Sequence, residues 1–124
     1  MAWHSDQLDT IGDTEELHIS SYRNDGSLRR WIPIWVVRVA DDLYIRSAFG
    51  PGGGWYRNAM RNNVARISAD GIETDVTLHL ANDPATNAAV EAAYKAKYRS
   101  QPAALEPMVA DTAAETTVRL DTAG

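Results

Sequence analysis

The sequence has no cysteine, one phenylalanine and three histidines, and its only lysines are Lys95 and Lys97. Without cysteine there is no disulfide, no thiolate nucleophile and no cysteine-held metal. His4, His18 and His79 lie far apart along the chain, so no metal site is expected. No Gly-x-Ser-x-Gly turn presents a serine nucleophile. No apolar run approaches the roughly 18 residues of a membrane span, and Met1-Ala2-Trp3-His4 has no basic region followed by an apolar one. A cytoplasmic protein without a membrane partner is therefore expected.

What is present is an ordinary globular mixture. The 124 residues are 44% hydrophobic and 23% charged, which predicts one domain spanning 1–124. A net charge of −5 argues against a nucleic-acid partner, which needs a broad basic face. The distribution of charge says more. Residues 1–26 set Arg23 against six acids, residues 27–66 set seven arginines against Asp41 and Asp42, and residues 67–124 set four cations against nine acids. The middle is thus basic and all arginine, whose planar fork suits bidentate binding of phosphate or carboxylate. A compositional preference for arginine is the ordinary alternative.

Along the chain, SDQLDTIG predicts a short helix near 5–11 with Ser5 as its cap and Gly12 as its stop. Glu16 to Tyr22 alternates as a strand before the turn Asn24-Asp25-Gly26-Ser27. RWIPIWVVRVA is β-branched and aromatic on both faces, with Pro33 favouring an edge or bulge. A two-residue turn at Asp41-Asp42 would set Val39 opposite Tyr44, Val37 opposite Arg46 and Trp35 opposite Ala48. Ile34, Val36, Leu43 and Ile45 then form a core face, and Arg46 joins two aromatics on an outer one.

WYRNAMRNN predicts a short helix near 55–62, and Asp70-Gly71 predicts a hairpin in which Arg66 faces Asp75. Asp83-Pro84 caps a longer helix, about 84–99. Gln101 to Pro107 reads as a connector and Glu115 to Leu120 as a closing strand. Six strands with one substantial helix predict an α+β, mainly β fold: a small six-stranded antiparallel barrel or a strongly curved antiparallel sheet.

The chemistry concentrates in DLYIRSAFGPGGGWYRNAM, Asp42 to Met60. An anion at this loop could take donors from Arg46, Ser47 and the amides of Gly53 and Gly54, while Trp55 or Trp35 stacks on a ring. Arg57 is a further candidate donor to the same ligand, although a helix sets it about 100° around from Tyr56. The loop lacks both the P-loop lysine and the dinucleotide glycine spacing. Its ordinary reading is strand-to-helix punctuation, with Arg46 in a salt bridge and Trp55 in the core.

ELHIS, PIWVVRV, LYIRSAFGPGGGWYRNA, GIETDVTL and AAYKAKY together resemble the bacterial domain of unknown function 2255. That family is similar in element order to the flavin-binding split barrels, which include pyridoxamine-phosphate oxidases and deazaflavin-dependent nitroreductases. The resemblance implies a homodimer holding FMN or a deazaflavin between subunits, with the phosphate at Arg46 and Ser47. It implies an oxidoreductase acting on a small organic molecule, with Tyr44, Tyr56 or Tyr94 as proton donor. Two alternatives remain open at this level. One is a cofactor-free dimeric pocket that binds, isomerises or cyclises an acidic aromatic metabolite; the other is a structural or interaction domain without catalysis.

Overall fold

The computed structural model describes residues 3–123; Met1 and Ala2, part of the stretch read for a leader, lie outside the described residues. Seven strands, β1 (Glu16–Ser20), β2 (Ile32–Trp35), β3 (Val37–Val39), β4 (Asp42–Ile45), β5 (Val64–Ala69), β6 (Ile72–Leu80) and β7 (Val118–Thr122), form one sheet. Its order is β2-β1-β5-β6-β7-β4-β3, antiparallel throughout. Strands β2 and β3 are separated only by Val36, yet they sit at opposite ends of that order. One bent run therefore supplies both edges and nearly closes the sheet into a barrel. This is why the six expected strands become seven: a strand that turns a barrel corner changes partners and drops its middle residue from the ladder.

The dropped residue is satisfied from a helix. Val36 N–H donates to the Tyr98 hydroxyl at 3.3 Å, and the Val36 carbonyl accepts from Lys97 Nζ at 2.6 Å. Both side chains come from the end of α3 (Pro84–Lys97) and the residue after it. Buried backbone groups without such partners would be costly.

The Asp70-Gly71 hairpin forms as expected, with φ of +47° and +87° at its two turn residues and Arg66 opposite Asp75. Arg66 pairs with Asp75 at 3.1 Å and with Glu73 at 2.8 Å. The first hairpin is corrected. Its turn is Ala40-Asp41, with Ala40 at φ +54°, so Val37 faces Tyr44 and not Arg46. Moving a turn by one residue moves the pairing by two, and an even step preserves which side chains share a face. Ile34, Val36, Leu43 and Ile45 accordingly fill the barrel core, while Trp35, Val37, Val39 and Tyr44 share the opposite face.

That opposite face is not open. A second core covers it, made by Val90, Tyr94 and Tyr98 from the α3 region and by Leu105 and Met108 from α4 (Pro102–Met108). The connector expected at Gln101 to Pro107 is thus a helix: Pro102 opens it without wasting a donor, and Ala103, Ala104, Leu105 and Glu106 are strong helix formers. The expected closing strand also shifts, because Asp111–Ala114 forms α5 and β7 begins at Val118.

The remaining helices are α1 (Ser5–Asp13), which is capped by His4 and continues through Gly12, and α2 (Gly54–Met60). Asp83 caps α3 as expected, its carboxylate accepting from Thr86 N–H at 3.0 Å. Among the described residues no helix is long and apolar enough to cross a membrane.

Candidate functional site

Arg46 leaves the end of β4 and turns under α3. It is 1% exposed. Its Nε donates to Thr117 Oγ1 at 2.8 Å, Nη1 to the Met108 carbonyl at 3.0 Å, and Nη2 to the carbonyl and side-chain oxygen of Asn87 at 3.3 Å each. The guanidinium also lies 5.7 Å from the centre of the Tyr94 ring, within cation–π range. Burial lowers its pKa from the ordinary value. The outward position expected for Arg46 is corrected: its face of the sheet is covered by α3 and α4, and its fork is spent largely on the protein itself.

Ser47 is also fully buried. Its N–H donates to Thr116 Oγ1 at 2.8 Å, while its Oγ has no partner among the described residues. Gly53 explains the enclosure, since a Cβ there would stand 2.3 Å from Ser47 Oγ. The glycine loop is consequently a compact 3₁₀ turn, Gly50–Gly52, whose Gly50 N–H returns to the Ser47 carbonyl at 3.0 Å. Ser47 and Gly53 lie together, packed against each other and not around open space.

Open space lies on either side of Trp55, which lines two clefts. The first, of about 330 Å³, has Trp35, Phe49, Trp55, Pro33 and Met108 in its walls and Arg46 among its lining residues. Trp35 is held rigidly there, stacked on Tyr98 with ring centres 3.8 Å apart and planes parallel. The second cleft, of about 380 Å³, is basic: Arg29 and Arg30 line it with Ser20, Gly54, Trp55 and Asn58. Arg29 Nε is buried without a partner among the described residues.

The fold therefore gathers Trp35, Arg46 and Trp55 at one cleft and Gly54 with Trp55 at the other. Arg57 is exposed and lines neither. The three tyrosines also lie away from both clefts. Tyr94 is sealed beneath α3 with its hydroxyl unpartnered, and burial raises its pKa. Tyr44 borders a separate depression with Val39 and Val90, and Tyr56 packs on the barrel core; burial raises both.

Arg29 and Arg30 were not singled out by sequence, although two adjacent cations in SLRRW, directly before an apolar strand, are the signal that marks them. Phe49 was also missed. At 86% exposure it is a large apolar side chain standing free at the aromatic cleft.

Residues 7–120 match the family model described as an uncharacterized protein conserved in bacteria, DUF2255. The chain belongs to the DUF2255 family. No curated protein matches it in sequence. Among solved structures it is similar to an FAD-binding protein of Mesorhizobium loti at 12% identity, covering 100% of this chain and 93% of that one, with a TM-score of 0.67. A conserved hypothetical protein of Mycobacterium tuberculosis gives 9% identity, coverage of 97% and 79%, and a TM-score of 0.66. An F420 reductase gives 13% identity, coverage of 94% and 93%, and a TM-score of 0.52. At these identities the likeness shows the fold alone: the DUF2255 protein has the split-barrel fold of these structures.

Proposed function

We propose that this DUF2255 protein is a single-domain, homodimeric flavin- or deazaflavin-linked oxidoreductase acting on a small organic molecule. The cofactor phosphate falls to Arg29 and Arg30, and not to the Arg46 and Ser47 expected from sequence, because Ser47 is packed beneath Gly53 and Arg46, which gives up to four of its five N–H groups to the protein, keeps too few for a phosphate clamp. The observation that carries the reading is the basic cleft beside Trp55, where two arginines and the Asn58 amide offer donors to an anion next to a flat aromatic wall. The split-barrel fold supports it, since the FAD-binding protein and the F420 reductase have the same fold.

A bound flavin or deazaflavin would supply the hydride chemistry. The chain's own residues would do the rest: Arg29 and Arg30 neutralise the phosphate, Trp55 orients a ring, and Trp35, fixed on Tyr98, excludes water from the neighbouring cleft. Dimerisation is part of the same proposal. Phe49, exposed beside the aromatic cleft, is the apolar side chain a second subunit would cover.

Calorimetric titration with FMN, riboflavin and a deazaflavin tests the reading. FMN should bind at least about tenfold more tightly than riboflavin, and the Arg29→Ala/Arg30→Ala variant should abolish that difference. Equal binding of the phosphorylated and unphosphorylated forms to the unaltered protein overturns it.

A further inference from the structure

Arg46 is a buried guanidinium without a direct ion-pair partner among the described residues; the Glu91 carboxylate, itself beside Lys95, favours its charge only from beyond ion-pair distance. Arg46 is 1% exposed, and no carboxylate stands within ion-pair distance of it among the described residues. Its partners are all neutral: a threonine hydroxyl, two backbone carbonyls and the Asn87 side chain. Buried charges in folded proteins are ordinarily paired, because neutral acceptors recover only part of the lost hydration. A guanidinium has five N–H groups, and these contacts occupy at most four of them, leaving one at Nη1. Arg46 also lines the aromatic cleft, beside the same Met108 whose carbonyl Nη1 contacts.

We propose that the aromatic cleft is a substrate site for a planar aromatic monocarboxylate, whose carboxylate forms the direct ion pair that Arg46 lacks. The walls fit such a ligand: Trp35 is immobilised by its stack on Tyr98, Trp55 lines the same cleft, and the volume of about 330 Å³ suits a ring-sized molecule. The rest of the lining sets the ligand's other end. Glu16 is exposed there and Gln101, whose amide donates to Glu15 at 2.9 Å, lines the same cleft, so a second anionic group would be repelled while a hydroxyl or amine donor would be accepted. The substrate class is thus a hydroxy- or amino-substituted aryl acid. Its role as substrate rests on the redox reading above; the site itself rests on Arg46 and the cleft.

The test keeps Arg46 in place, since removing it threatens the fold. Calorimetric titration of the full chain with 4-hydroxybenzoate, benzoate and the neutral benzamide should give binding in that order. Benzoate should exceed benzamide by about tenfold or more, as expected for a charge-assisted contact in a desolvated site. Asn87→Asp places a carboxylate beside Nη2; it should raise Tm and weaken benzoate by about tenfold or more while leaving FMN affinity unchanged. Asn87→Ala separates that effect from loss of the Asn87 bond to the Asn82 carbonyl, and should leave benzoate tighter than in Asn87→Asp. Equal binding of benzoate and benzamide, binding of neither, or unchanged benzoate affinity in Asn87→Asp overturns the proposal. Benzoate binding without FMN binding removes the cofactor reading and leaves this site standing; FMN binding without benzoate binding does the reverse.

Discussion

The Tyr98 hydroxyl closes the gap that Val36 leaves in the barrel, accepting from the Val36 N–H at 3.3 Å while donating to the Glu15 carbonyl. Tyr98→Phe keeps the ring against Trp35 but leaves a buried N–H and a carbonyl without this partner. It should destabilise the fold by about 1–3 kcal/mol in urea unfolding. A change below about 0.5 kcal/mol, the level of an ordinary surface substitution, would show that the corner is held by other means.

Gly53 and Ser47 should be energetically coupled. Gly53 has ordinary backbone angles, φ −61° and ψ 135°, so alanine is disfavoured there only by the 2.3 Å approach of its Cβ to Ser47 Oγ. Gly53→Ala should cost about 1–3 kcal/mol. With Ser47→Ala present the nearest remaining contacts of that Cβ lie at 3.4 and 3.5 Å, and the penalty should shrink by at least about 0.5 kcal/mol. Strict additivity in the double-mutant cycle would contradict the packing described.

Lys97 makes stability pH-dependent. Burial lowers its pKa to about 8 from 10.5. Between these values the unfolded chain holds a proton that the folded chain has released, so raising pH through this window favours the folded state. Below pH 8 both states are protonated and the burial penalty on the charge is fully present. The stability of the protein relative to its Lys97→Met variant should therefore rise from pH 8 to pH 10, a comparison that cancels the tyrosines. A flat or falling difference would place Lys97 in a wetter setting.

Arg46→Ala should be strongly destabilising, by about 2–4 kcal/mol, because it leaves a cavity beneath α3 and strands the acceptors at Thr117, Met108 and Asn87. Chemical denaturation measures it directly. A loss within about 0.5 kcal/mol would return Arg46 to the open surface that its sequence position suggests.

The sequence by itself determined what depends on local backbone chemistry. Asp70-Gly71 needs positive φ at two adjacent residues and so specifies its hairpin, and with it the pairing of Arg66 with Asp75. Asp83-Pro84 starts α3 because one side chain caps and the next residue needs no donor. The period of two along Ile32 to Ile45 assigned Ile34, Val36, Leu43 and Ile45 to one face, and that assignment survived a misplaced turn because the slip in pairing was even. Together these also specified a mainly antiparallel barrel.

Only the tertiary structure decided which face stays open. Alternation says that Trp35, Val37, Tyr44 and Arg46 share a side; it cannot say that α3 and an unrecognised α4 will cover that side. The prolines at both ends of α4 read as loop punctuation, while its helical character comes from the residues between them and from burying Leu105 and Met108. The same long-range packing enclosed Arg46 and Ser47, sealed Tyr94 beneath α3, and brought Arg29 and Arg30, before β2, to the cleft that Trp55 lines from the start of α2. Such contacts join segments distant in sequence, whose meeting depends on closing the whole barrel and on apolar area buried against it, and no local pattern encodes that balance.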